Sequence, residues 1–451
     1  MAMGRHEARQ GNLMITWDEL PRSPGHAFYD KLQAILAGAK FDEHAEKICK
    51  PYYAEKMGAR SIPPGRYFRM HFIGYFEGID SERGLEWRCS DSLSLRDFLR
   101  LAPGQRVPDH SWLSRTRKRL PLEVHEEMFA WVLERLNEEG LIKGDRIGVD
   151  ASTMEANAAM RNIEKRVGGE GYREMLKRMA KESGIETSTT EDLIKIDKKR
   201  KNKKLSNKEW KSRSDGDARI ARMKNGSTHM AYKPEHAVDL DTGAIIAAEI
   251  HLADEGDTTT LPKTLEKTRE NLAEVEAAPT QECPAECIAD KGYHGREVIK
   301  ELDGGPWKTR ISEPDRPNFN RWHGDEAARR AVYNNRTRLG SGIAREGMKL
   351  RAEIVERSFA HVLDRGGMRR AHLRGRDNLQ KRYLLHTAGF NLSLVMRQII
   401  GSGTPKQAAS DGNPLFMLFF AVGNAIWLFT MTVERDMKVK VSLLAILTSV
   451  G

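Results

Sequence analysis

At 451 residues, with 39% hydrophobic and 31% charged residues, the chain is long enough for roughly two or three domains and too polar for a bundle of membrane spans. A formal charge of +10 favours a polyanionic partner, nucleic acid before acidic lipid. Four cysteines, Cys49, Cys89, Cys283 and Cys287, exclude a disulfide scaffold, and the N-terminus lacks the apolar stretch of a signal peptide, so a reducing, cytoplasmic setting is expected. Cys283 and Cys287 have no His or Cys pair at zinc-finger spacing and read as core thiols.

Along the chain, an irregular lead gives way to a helix at 26–36, and a proline-glycine turn introduces an aromatic helix within 61–84 whose Tyr67, Phe68, Met70, Phe72, Ile73 and Phe76 read as core. A helix at 91–101, a turn at Pro103-Gly104 and a capped basic helix at 107–120 have the order of a helix-turn-helix DNA reader. On that reading Arg115, Arg117, Lys118 and Arg119 are the candidate DNA contacts. A helix at 122–139 leads into a short apolar strand ending in Asp150. Residues 153–226 are polar and lysine-rich, cannot build a core, and read as a basic insertion of one or two surface helices or partly disordered chain. From Ser227 the texture becomes β, with a hairpin across Asp241-Thr242-Gly243. A helix at 260–276, a strand ending in Asp290, a short helix at 296–302 and a strand at 307–311 follow. Beyond them lie a basic helix at 325–336, a helical stretch carrying Glu356, a glycine- and arginine-dense run at 364–376 and a helix at 383–400. Residues 415–431 form an uncharged apolar run close to span length, read here as a buried or oligomer-facing helix.

The order strand, hairpin, helix, strand, strand, helix is mixed α/β, and it places Asp150 and Asp290 at strand ends and Glu356 on a helix. Carboxylates at the mouth of a sheet are common sites of chemistry in open α/β folds. Breaking or exchanging a phosphodiester needs an activated oxygen and neutralised charge at phosphorus, which hard, oxygen-seeking Mg²⁺ supplies when carboxylates hold it. Two Mg²⁺ ions, with Mn²⁺ as a possible substitute, are therefore expected at Asp150, Asp290 and Glu356. Glu353, on roughly the same helical face, is an open alternative to Glu356 as third ligand. The guanidinium groups of Arg369, Arg370 and Arg374 suit phosphate oxygens.

GVDASTMEANA around Asp150, IADKGYHG around Asp290 and VERSFAH around Glu356 resemble the three acidic motifs of DDE transposases from bacterial insertion sequences, of the IS-five-like and related subgroup. SLRDFLRL with VPDHSWLSRTRKRL resembles that group's N-terminal domain, and GGMRRAHLRG with the helix containing Phe390-Asn391-Leu392 resembles the segment after its catalytic Glu. The resemblance covers about residues 60–400. It implies a ribonuclease-H-like core at 141–400 interrupted by the 153–226 insertion, a helical DNA-binding domain at 1–140 and a tail at 401–451. It further implies that Asp150, Asp290 and Glu356 bind Mg²⁺, and that the protein cuts double-stranded element ends and joins the freed 3′-hydroxyl to target DNA. A homodimer or higher oligomer on DNA follows from the need to hold two ends. The Tyr, Arg and Lys that many relatives carry around the Glu fall here on Lys349, Ala352 and Leu363. Arg351 and Arg365 stand nearest the basic two and are expected to share their grip on DNA, with Lys291 and Tyr293 as supporting contacts.

Three rival readings stand beside this one. They are a metal-dependent nuclease on the same fold that never joins ends, an inactive DNA-binding relative, and a membrane-anchored protein resting on 415–431 alone.

Overall fold

The computed structural model describes residues 23–410 apart from 24, 56–60, 103, 186–188, 200–204, 224, 316–321 and 323. The apolar run at 415–431 therefore lies outside the described residues, and among these no helix is long and apolar enough to cross a membrane.

Among the described residues seven helices come first: α1 (Ala27–Gly38), α2 (Phe41–Cys49), α3 (Pro64–Glu77), α4 (Glu82–Asp91), α5 (Leu93–Phe98), α6 (His110–Arg119) and α7 (Leu122–Glu138). Their starts follow from local chemistry. Ser81, Ser92 and Asp109 accept backbone N–H groups of the first turns of α4, α5 and α6, meeting donors that a helix cannot satisfy itself. The aromatic residues expected as core on α3 are all buried. The helix-turn-helix expectation does not survive. Residues 99–109 are too long a link for a three- or four-residue turn, and α6 is tied to α4 rather than α5. Arg117 of α6 pairs with Glu82, and the His110 backbone and ring both meet Glu86. Neither α2 nor α4 was anticipated from the sequence, because α4 (ERGLEWRCSD) carries only two buried residues and no strong apolar stripe.

The core strands are β1 (Arg146–Ala151), β6 (Thr228–Asp239), β7 (Ile245–Leu252), β8 (Ala285–Ala289) and β9 (Trp307–Ile311), in the spatial order β7-β6-β1-β8-β9. β1, β6 and β7 run antiparallel, while β8 lies parallel to β1 and β9 parallel to β8. That is the ribonuclease-H-like order, with the connecting helices α10 (Asp257–Ala273) and α11 (Arg296–Leu302) followed by α12 (Glu326–Leu339), α13 (Gly342–Phe359) and α14 (Arg376–Ile400). A short α15 (Pro405–Ser410) ends the described chain. Both sheet edges are closed by side-chain amides rather than by strands. Asn391 exchanges two hydrogen bonds with the Ile245 backbone and Gln380 bonds Ile250 N and Ala248 O on β7, while Asn335 does the same for Ile311 on β9. Capping the free N–H and C=O groups in this way removes the templates by which edges recruit foreign strands.

The insertion falls between β1 and β6, as the long interval between the two aspartates implied, but it is more ordered than its composition suggested. It holds β2 (Met154–Glu155), β3 (Ile163–Lys165), α8 (Tyr172–Glu182), α9 (Thr190–Lys199), β4 (Trp210–Ser212) and β5 (Arg219–Arg222). β2 and β5 extend the sheet along β6, while β3 and β4 pair separately. A small core of Ile163, Met175, Leu176, Leu193 and Trp210 lies beneath them. Of the two thiols expected in the core, Cys287 is buried, whereas Cys283 is exposed ahead of β8.

Candidate active site

The register of the sheet brings the two aspartates together. Val149 of β1 is paired with Ala289 of β8, so Asp150 and Asp290 leave adjacent parallel strands at the same edge. Asp150 Oδ1 accepts from Ala151 N at 2.8 Å and its Oδ2 meets Arg351 Nη1 at 2.7 Å. Burial pushes its carboxyl above the usual range, and Asp290 pushes the same way, while Arg351 and the Ala151 amide oppose them. Asp290 is thus near enough for its charge to act on the Asp150 carboxyl. Asp290 Oδ1 accepts from Gly292 N at 2.8 Å and caps the turn at Lys291–Tyr293.

The α13 helix is seated over this edge through β6. His236 is paired with Asp150, and its ring stacks on Phe359 with centroids 4.1 Å apart. Its two nitrogens contact Ser358 Oγ at 2.8 Å and the Tyr383 hydroxyl at 2.6 Å, and burial lowers its pKa to about 3, so it stands there neutral. Gly148 lies under the same helix, because a Cβ there would come within 3.1 Å of Val355 Cγ2 and 3.2 Å of Arg351 Cγ.

Glu356 is exposed on the flank of α13, its backbone carbonyl accepting from Ala360 N at the end of the helix. Glu353 is held at 2.5 Å by Arg357 on the solvent side of the helix. Among the described residues no three His, Cys, Asp or Glu side chains come close enough together to hold a metal. The structure thus joins Asp150 with Asp290 and leaves Glu356 outside, with the Arg351 guanidinium against Asp150. Two converging carboxylates are the oxygen donor chemistry that Mg²⁺ takes, so this part of the site fits the ion.

The expected DNA contacts divide into three groups. Arg115, Lys118 and Arg119 are exposed on α6, and Lys291 after β8 and Arg365 after α13 are exposed as well. Arg369, Arg370 and Arg374 line the segment that follows Asp150, where Arg369 Nη1 donates to Ser152 Oγ at 3.3 Å, Arg370 faces Glu155 at 3.6 Å and Arg374 Nε donates to Asn157 O at 3.4 Å. Three residues are placed differently from the sequence expectation. Arg117 is buried against Glu82, Tyr293 is only 1% exposed with its hydroxyl bonded to Glu235, and Arg351 is committed to Asp150. Arg117 and Tyr293 are buried with their polar groups turned to Glu82 and Glu235, so neither is presented to a surface ligand.

Sequence reasoning passed over Glu235, Lys233 and Asp257, which lie behind the Asp290 turn. The signal was available. Lys233 and Glu235 stand inside a strand buried on both faces, and charge in such a place calls for partners.

The chain matches the Transposase domain family DUF772 over residues 17–119 and the Transposase DDE domain family over residues 175–392. It belongs to the DDE transposases of insertion sequences. No curated protein and no solved structure matches the chain. The DDE transposase match contains Asp290 and Glu356 but starts beyond Asp150. Transposases of this family act on DNA and generally use divalent metal ions.

Proposed function

We propose that this transposase, of the IS-five-like subgroup, cuts the double-stranded ends of its insertion sequence and joins the freed 3′-hydroxyl to target DNA, with Asp150, Asp290 and Glu356 as its catalytic carboxylates. The observation that carries the reading is the pairing of Asp150 with Asp290 at one edge of a ribonuclease-H-like sheet inside a family defined by such acids. Mg²⁺ bound there would activate the attacking oxygen and neutralise charge at the phosphorus. The chain itself supplies the fixed edge, the half-buried setting of Asp150, and a guanidinium on Arg351 that balances the Asp150 carboxylate and stands at the edge where a phosphate would bind. Arg369, Arg370 and Arg374 would hold the backbone of the same strand, while Arg115, Lys118 and Arg119 on the 1–140 region would hold duplex further out. The basic insertion at 153–226 adds a sequence-independent grip. Because two ends must meet, the working form on DNA is a dimer or larger, in the cytoplasm.

The test is cleavage of labelled DNA carrying the element's ends, with Mg²⁺, comparing wild type with Asp290→Asn, Glu356→Gln and Glu353→Gln. Asp290→Asn keeps the shape and removes the charge, so it is expected to bind the ends and lose about a hundredfold or more in cleavage rate. Glu356→Gln should follow it, and Glu353→Gln should not. Joined products from the wild type distinguish a transposase from a nuclease of the same fold. Cleavage by Asp290→Asn at the wild-type rate would sink the carboxylate reading.

A further inference from the structure

On the face of the sheet opposite His236 lies a polar cluster that the proposed chemistry does not use. Glu235 of β6 is fully buried. Its carboxylate accepts from Thr260 Oγ1 at 2.9 Å, Thr264 Oγ1 at 2.5 Å and the Tyr293 hydroxyl at 2.8 Å. His251 Nε2 stands 3.4 Å away and Lys233 Nζ 3.9 Å. Burial would raise this carboxyl, but His251, Thr264 and Lys233 outweigh it and hold it below the usual range. Lys233 in turn donates to Asp257 Oδ1 at 2.7 Å and Thr260 Oγ1 at 2.9 Å.

Burying a carboxylate and an ammonium costs several kcal/mol per ion before their partners offset it. Apolar residues would hold β6 against α10 at no such cost, so the cluster's geometry asks what it fixes. Two of its members touch the Asp290 turn. Tyr293 closes that turn, its ring lies in the core, and its hydroxyl donates to Glu235 at 2.8 Å. Asp257, the first residue of α10, reaches Gly292 from the other side. A Cβ on Gly292 would come within 2.6 Å of Asp257 Oδ2 and 3.0 Å of Asp290 Oδ1, so the turn is wedged between the two carboxylates. Backbone to backbone the turn's bonds are long, with Tyr293 N to Asp290 O at 3.2 Å and His294 N to Lys291 O at 3.3 Å, beside the 2.8 Å bond from Gly292 N to the Asp290 carboxylate. Without an outside anchor, the segment that carries Asp290 past the end of β8 would be free to shift against Asp150.

We infer that Glu235 is a positioning residue for Asp290: acting through the Tyr293 hydroxyl, it sets where the Asp290 carboxylate stands relative to Asp150. The inference rests on the reading of that pair as a metal site. It also explains the sequence of β6. Consecutive residues, Glu235 and His236, point to opposite faces of the sheet, as strand geometry requires. One fixes the turn that carries Asp290, and the other fixes α13, which carries Arg351 and Glu356.

The test measures Mn²⁺ affinity of the full chain by electron paramagnetic resonance beside its thermal midpoint, for Tyr293→Phe and Glu235→Gln. Tyr293→Phe removes one oxygen from a buried ring and is the variant expected to fold normally. Losing a group that orients a ligand costs about 10- to 100-fold in metal affinity, so both variants should weaken Mn²⁺ binding on that scale. Asp239→Asn is the control for general destabilisation. Asp239 is equally buried, accepts from Lys143 N and Gly144 N at the far end of β6, and should lower the midpoint with Mn²⁺ affinity unchanged. If Tyr293→Phe binds Mn²⁺ like the wild type while Asp290→Asn does not, the positioning role is wrong and the metal site stands. If Asp290→Asn also binds like the wild type, the metal site is wrong and the inference falls with it.

Discussion

Glu249 shows how one residue can couple this fold to pH. It projects from β7 into a cavity of about 320 Å³ lined by Lys263, Lys267, Glu270, Arg376 and Gln380. Its nearest partner is the Gln380 amide at 3.5 Å. Burial raises its pKa from 4.5 to about 7, with His251 and Lys267 opposing. A carboxyl whose folded pKa lies above its unfolded one favours folding while protonated. The stability it contributes is complete below about pH 4.5 and is lost as pH rises through 7. A shift of this size corresponds to roughly 3 kcal/mol at most. Glu249→Gln, which stays neutral at every pH, should therefore match the wild type near pH 4.5 and exceed it in thermal midpoint at pH 8. Equal midpoints at both pH values would mean that Glu249 ionises in the fold without penalty. The same scale marks what the sequence could tell. Asp150 and Asp290 were legible because strand ends with carboxylates form a recognisable pattern. The commitment of Arg351 to Asp150 was not, since it depends on how α13 is rotated over the sheet.

At the level of elements, α13 is the piece whose seating decides the site. The stretch at 350–359 around Glu356 reads as helical from sequence, and the structure extends the helix back to Gly342, where Ser341 accepts from Ala344 N as its cap. Its close approach to β1 depends on Gly148, whose position leaves no room for a Cβ beside Leu240 Cδ2 at 2.6 Å and Val355 Cγ2 at 3.1 Å. Gly148→Ala should force the helix outward and cost about 1–3 kcal/mol, the usual penalty for overpacking a filled core. Because Arg351 and Glu356 ride on that helix, DNA cleavage should fall by more than the loss of folded protein explains. A variant with wild-type cleavage per folded molecule would show that the helix tolerates the shift. The hairpin, β8, α11 and β9 could all be read from alternation and turn residues, because local pattern specifies them. The strands of the insertion could not. β3 and β4 are three residues each, and they exist because Trp210 and Ile163 find a shared small core. Helix α14 was recognised only from 383 onward, and its Phe390-Asn391-Leu392 run proves to be the cap on the β7 edge.

Across the whole molecule, α14 makes the helical N-terminal region and the catalytic core one body. It is buried around its circumference, as a helix between two layers must be. On one side Tyr383 reaches His236 in the sheet, and Asn391 holds β7. On the other, Tyr75 of α3 packs against Gly389, where a Cβ would come within 2.9 Å, and Gln398 Nε2 donates to Glu139 O after α7 at 2.8 Å. Arg382 is 1% exposed in this seam, donates to Ile79 O at 3.0 Å, and has its pKa lowered by burial to about 10. Such a seam does not resemble the wet, polar contact between domains that move independently. Among the described residues, the helices before residue 140 and the sheet with its helices after it bury apolar surface against each other. The full chain should therefore unfold in one cooperative thermal transition, with calorimetric and van't Hoff enthalpies in agreement. A fragment beginning at residue 141 should lack that transition, because it exposes the α3-facing side of α14 and strands Arg382 without Ile79 O. Two separate transitions in the full chain, or a fragment that melts like the parent, would mean that the helices proposed to grip DNA can swing free of the carboxylates. A single transition would fix the distance between α6 and the Asp150–Asp290 edge, so that where the N-terminal region grips duplex determines which phosphodiester reaches the carboxylates.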